Sequence, residues 1–144
     1  MNDTLLHARV RARSATKART SLLPLLFARG QTNGWEEGMQ AVTAALLRRQ
    51  SLPGGPWLDV GCGNGAQVTA LGRTTGQTVW GIDRHPLALA HAVVRTAAGP
   101  AAEISPPPFV AADLHHLPWP NGAVGLILAL DTIDQAGVDI DAAL

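Results

Sequence analysis

Residues 58–66 read Leu-Asp-Val-Gly-Cys-Gly-Asn-Gly-Ala, LDVGCGNGA. Trp57, Leu58 and Val60 are apolar, as a strand buried in a parallel sheet requires. Gly61, Gly63 and Gly65 then alternate with Cys62 and Asn64. So glycine-rich a turn tolerates positive φ and lets a ligand come close to the main chain. The helix expected to follow directs its free N–H groups, and the positive end of its dipole, toward that turn. Asp59 stands at the carboxyl end of the strand, which is where open α/β sheets bind ligands.

Downstream the pattern repeats. Ala66 to Arg73 reads as a short helix with Gly76 as its stop, and Thr78 to Ile82 as a second strand ending at Asp83 and Arg84. Pro86 suits the first turn of a helix running through Leu87, Leu89, Ala90, Val93 and Val94, closed by Gly99 and Pro100, with His85 in the capping slot. After a proline-rich connection, Phe109 to Ala112 reads as a third strand ending at Asp113. Pro120, Asn121 and Gly122 have the composition of a turn, and Ala123 to Leu130 reads as a fourth strand ending at Asp131. Upstream, Met39, Val42, Leu46 and Leu47 recur at helical spacing, so Trp35 to Gln50 is expected to be a helix. Residues 4–29 read as one helix broken near Pro24 or as two short ones, and 51–56 as the link into the first strand.

Two cofactor families use a turn of this kind. Gly61, Gly63 and Ala66 fit the dinucleotide fingerprint G-x-G-x-x-G/A. Asp59 and Gly65 extend the string to D-x-G-x-G-x-G, which resembles the first motif of class I S-adenosylmethionine-dependent methyltransferases. The stretch Ala112 to Leu130, ADLHHLPWPNGAVGLILAL, resembles the third and fourth motifs of the small-molecule (type 11) branch of that family. An NAD-binding module has no need of this second block, so three acids at three strand ends favour S-adenosylmethionine over NAD.

The resemblance implies an α/β, Rossmann-like, doubly wound parallel sheet, here partial, in strand order 3-2-1-4 with helices on both faces. It implies S-adenosylmethionine as cofactor and a small molecule as methyl acceptor. Gly61, Cys62, Gly63 and Gly65 would wrap the methionine end, and Asp59 would help bind its amino group. Asp83, followed by Arg84, would take the ribose hydroxyls. Asp113, followed by Leu114, would meet the adenine amine. Leu130 closes the fourth strand, whose end faces the transferred methyl group in the family. Many relatives carry an acid–histidine pair just beyond. This chain has Asp134 and Gln135 there, so no general base carries over and no catalytic residue is assigned. His115 and His116 lie near the pocket and read as solvated loop residues. There is no tyrosine to serve as a phenolic base.

Composition narrows the partners. The 144 residues carry no formal net charge, so the total does not point to nucleic acid. Residues 1–49 are basic: Arg9, Arg11, Arg13, Lys17, Arg19, Arg29, Arg48 and Arg49 stand against Asp3, Glu36 and Glu37. This reads as a solvated helix face, with recruitment of an acidic substrate as the sharper alternative. The division expected is a helical cap over 1–50 and a partial cofactor-binding domain over 51–144. No stretch is long enough to span a membrane and no apolar segment marks a secretory signal. The first twenty-one residues loosely resemble a transit peptide. Cys62 is the only cysteine, which suits a reducing cytoplasm, and no Cys/His grouping has zinc spacing.

The family's sheet has seven strands and this sequence supplies four, so a C-terminally truncated domain is expected. That leaves three readings: an active methyltransferase, a cofactor-binding half-domain without activity of its own, and, more weakly, an NAD-binding module. It also leaves the apolar fourth strand as an edge, through which self-association is expected.

Overall fold

The structure, a computed structural model, describes residues 34–98, 106–134, 138, 139 and 141. The helix expected within 4–29, the Gly99–Pro100 stop and Gln135 lie outside the described residues. The elements are α1 (Gly34–Leu47), β1 (Trp57–Val60), α2 (Ala66–Thr75), β2 (Val79–Asp83), α3 (Pro86–Ala98), β3 (Phe109–Ala111) and β4 (Leu126–Leu128). The sheet is parallel throughout, in the order β3-β2-β1-β4. Because β2 and β4 flank β1 on opposite sides, the chain reverses direction across the sheet at β1. The carboxyl end of β1, where the glycine turn begins, is therefore the topological switch point.

Strand alternation sorts the side chains onto two faces. Trp57, Val79, Phe109, Leu126 and Leu128 join Val68 and Leu71 of α2, Leu89 of α3 and Leu47 of α1 in one cluster. Leu58, Val60 and Ile82 point the other way, where Trp80, Leu114, Leu117, Trp119 and Val124 pack on them. Leu58 and Ile82 are fully buried, and each side chain contributes about 2 kcal/mol by leaving water. Trp119 meets Trp80 edge to face, with ring centroids 5.5 Å apart and planes at 82°. The three described helices thus lie against one face. Of the helices expected on both faces, none of those described covers the second, which is covered by the irregular segment around 112–124.

Glycines let the layers approach. Gly65, the N-cap of α2 at φ 73°, sits where a Cβ would stand 2.8 Å from the Phe109 ring and 3.0 Å from Ala92. In β2, a Cβ on Gly81 would run into the Phe109 ring and lie 3.0 Å from Cys62 Sγ. α2 ends as its sequence predicts, at Gly76 in the left-handed region, whose N–H donates to the Gly72 carbonyl at 2.9 Å.

The fourth strand is shorter than the apolar run 123–130. Among the described residues its one strand partner is β1, which pairs with it over Trp57, Leu58 and Asp59. Gly125 N–H extends the contact by donating to the Pro56 carbonyl at 3.0 Å. Beyond Leu128 the chain turns, and Asp131 takes φ 54°.

Candidate cofactor site

The glycine turn is tied to β2. The N–H groups of Gly61 and Cys62 both donate to the Ile82 carbonyl, at 2.7 and 3.0 Å. Gly63 N–H donates to the carboxylate of Asp83 at 3.1 Å, Gly65 N–H to the Cys62 carbonyl at 2.9 Å, and Ala66 N–H to the Asn64 side-chain oxygen at 3.1 Å. Five of the six N–H groups from 61 to 66 are thus engaged inside the protein. The other oxygen of Asp83 accepts from His85 N–H at 2.8 Å, so one carboxylate orders both the turn and the entry to α3.

A cavity of about 210 Å³ opens at the carboxyl ends of β1 and β4. Asp59, Gly61, Cys62 and Leu130 line it, as do Asn64, Ala66 and Gln67 at the start of α2 and Asp131 beyond β4. Its remaining wall is the first half of α1, with Trp35, Glu36, Met39 and Gln40. Asp59 is 3% exposed, and burial, reinforced by the charge of Asp83, pushes its carboxyl up to about 7. The Cys62 thiol is pushed far up by burial and then by Asp59 and Asp83, which makes it a poor nucleophile.

The other candidates fall outside this cavity. Gly63 and Asp83 are joined to each other by the hydrogen bond above, and Gly65 serves packing under α2. Leu114 packs on the Leu58–Ile82 face. Asp113 is exposed. Its carboxyl is held below the usual carboxylate range first by the His115 N–H, which donates at 2.9 Å, and then by the His115 ring at 2.7 Å. Arg84 lies near enough to add to that effect. Asp139 N–H donates to His115 Nε2 at 3.0 Å, so the ring proton sits on Nδ1 and faces Asp113.

Sequence reasoning missed three contributors. The α1 wall comes from a segment some twenty residues before the motif and carries no signature of its own. Gln67 follows the last motif residue. Thr132 stands over Gly61, so any Cβ there would collide with its side chain. Its hydroxyl lies 2.9 Å from the Val60 carbonyl and 3.1 Å from that of Leu130, fastening the end of β4 to the end of β1.

The sequence profile of a family described as a methyltransferase domain matches residues 58–144. The chain belongs to the methyltransferase-domain family. No curated protein matches this methyltransferase-domain chain. Its fold is shared with solved structures. One is a protein from Methanococcus maripaludis assigned as an S-adenosyl-L-methionine-dependent methyltransferase, 20% identical over 72% of this chain and 46% of that one, with a TM-score of 0.63. An S-adenosylmethionine-dependent methyltransferase from Clostridium acetobutylicum is 18% identical over 90% and 49% of the two chains, with a TM-score of 0.54. Geranyl diphosphate C-methyltransferase from Streptomyces coelicolor A3(2), solved with Mg2+, geranyl diphosphate and S-adenosyl-L-homocysteine, is 20% identical over 65% and 35%, with a TM-score of 0.51. The methyltransferase-domain chain spans about half the length of the first two and about a third of the last. Family and fold agree with the resemblance read from residues 58–66 and 112–130.

Proposed function

We propose that this protein binds S-adenosylmethionine and supports transfer of its methyl group to a small-molecule acceptor. The observation that carries the reading is the state of the glycine turn. A dinucleotide needs free N–H groups there for its pyrophosphate. Here five of six are engaged, one of them by Asp83, and buried Asp59 adds a second carboxyl group. That environment repels a pyrophosphate and favours a ligand with positive charge. S-adenosylmethionine carries an ammonium and a sulfonium, and the residues present fit it.

In this reading Asp59 pairs with the ammonium. Asp83 takes the ribose hydroxyls while keeping the turn in place through Gly63. Asp113 receives the adenine amine, in exchange for its present bond to the His115 ring. The bound cofactor supplies a methyl group already activated on sulfur, so the protein's task is alignment and exclusion of water. Trp35 and Met39 of α1 and Leu130 give the cavity apolar wall for that purpose. A second reading, a cofactor-binding unit without activity of its own, is supported by the chain spanning about half the length of two structural relatives.

Asp83→Ala tests the cofactor assignment. Losing two charge-assisted hydrogen bonds to the ribose weakens S-adenosylhomocysteine binding by about 2–4 kcal/mol. Equal affinity for wild type and variant would refute it. A methyl-transfer assay over carbon, oxygen and nitrogen acceptors separates the active enzyme from the binding unit.

A further inference from the structure

α1 is apolar on two sides. Inward, Thr43 and Ala44 are buried and Leu47 packs with the α2 core. Outward, Trp35, Val42 and Leu46 are 65%, 57% and 60% exposed, and Gly38, Ala41 and Ala45 lie exposed among them. A helix apolar all round is normally covered all round. A Cβ on Gly38 would meet nothing within 4 Å, so another helix can come close to this face. Charges stand at its ends. Glu37 lies in the first turn and Arg48 just past the last, and both are exposed. Arg48 N–H donates to the Ala44 carbonyl at 3.2 Å, so the helical turn runs through Arg48, and its Nε donates to the same oxygen at 3.2 Å. Glu37 and Arg48 are about three helical turns apart and therefore line one flank of the face. Trp35 and Leu46 have the same spacing and line the other flank.

We propose that two copies of this chain pair through the outer faces of α1, antiparallel about a twofold axis. Such an axis reverses the helix direction and keeps each flank on its own side. Glu37 of each copy then meets Arg48 of the other, and Trp35 of each lies toward Leu46 of the other, with Val42 near the axis. The face amounts to roughly 500 Å² per copy, so the pair buries about 1,000 Å², the low end for a specific interface and suited to a micromolar dimer. α3 also exposes Leu87, Val93 and Val94, but it carries no acid and has Arg84 and Arg95 at its two ends, so two copies paired there would oppose like charges. Trp35 lines the cofactor cavity as well, so the second copy backs the α1 wall of that cavity. The pairing is separate from association at the β4 edge and does not depend on which cofactor is bound.

The test is sedimentation equilibrium of the full chain as wild type, as Glu37→Arg, as Arg48→Glu and as an equimolar mixture of the two variants. Each substitution alone turns both ion pairs into repulsions, and the expected result is at least a tenfold rise in the dimer dissociation constant. In the mixture one copy of each kind remakes both pairs with the signs exchanged, so dimers should return. Both substitutions oppose the α1 dipole, so Val42→Glu and Val42→Arg repeat the test without touching the helix ends. Each should be monomeric by itself and the two together dimeric. Wild type that stays monomeric well above the micromolar range overturns the proposal. So do charge variants that associate like wild type, which is how assembly through the β4 edge alone would behave. Mixtures of folded variants that associate no better than their components overturn it too, because a face covered by anything other than its own copy gains nothing from the exchange.

Discussion

Asp59→Asn should make the ligand-free protein more stable at pH 8 and remove much of its pH dependence. Asp59 lies at 3% exposure beside Asp83, and its carboxyl is raised from 3.8 to about 7. A carboxyl raised on folding binds its proton more tightly in the native state. Native and unfolded chains are equally protonated at this position below about pH 3.8. Between there and pH 7 the unfolded chain releases the proton and the folded one keeps it. Stability therefore falls as pH rises through that window and levels off above it. A rise of about three pH units corresponds to about 4 kcal/mol, a large share of the stability of a domain this small. Asparagine has nearly the same shape and no charge to bury. Urea unfolding of both proteins from pH 4 to 8.5 gives the difference directly, because the two differ at this one position. The difference should open from near zero at pH 4 to about 4 kcal/mol by pH 8. A difference that stays constant over this range would refute the claim that Asp59 is held in a desolvated site. The same substitution should weaken S-adenosylhomocysteine, since the proposed ammonium partner is lost.

Three other outcomes follow from the packing. Cys62 should react with iodoacetamide at pH 8 only as fast as the chain unfolds, and rapid labelling of the native protein would contradict its burial and raised thiol. Gly81→Val should cost about 1–3 kcal/mol in thermal unfolding, because its Cβ would press on Phe109 and Cys62; unchanged stability would mean that those neighbours yield freely. Ile127 is 47% exposed on the edge strand β4, whereas Leu126 packs with the α2 core. Ile127→Lys should keep the fold and lower concentration-dependent light scattering, and Leu126→Lys should unfold the chain; equal behaviour would argue against the β4 edge as the site of self-association.

Much of this was legible in local sequence. Where the signal is a short-range rule, the structure follows it. Gly65 and Gly76 bracket α2, Pro86 opens α3, and Asp83 ends β2 twenty residues past the turn it supports. The order β3-β2-β1-β4 came with the family resemblance rather than from any spacing. What escaped depends on contacts far apart in the chain. An apolar run from Ala123 to Leu130 does not say how much partner strand is available, and β1 offers only three paired residues. Thr132 reaches Val60 across 72 positions, a contact with no sequence mark. Trp35 and Met39 look like ordinary positions of an amphipathic helix until the fold brings α1 to the cavity.

The most direct test of the cofactor assignment is a pair of calorimetric titrations on the wild-type chain, one with S-adenosylhomocysteine and one with NAD. The engaged turn and its two acids predict saturable binding of S-adenosylhomocysteine and no heat from NAD. Saturable NAD binding, or none with S-adenosylhomocysteine, would contradict it.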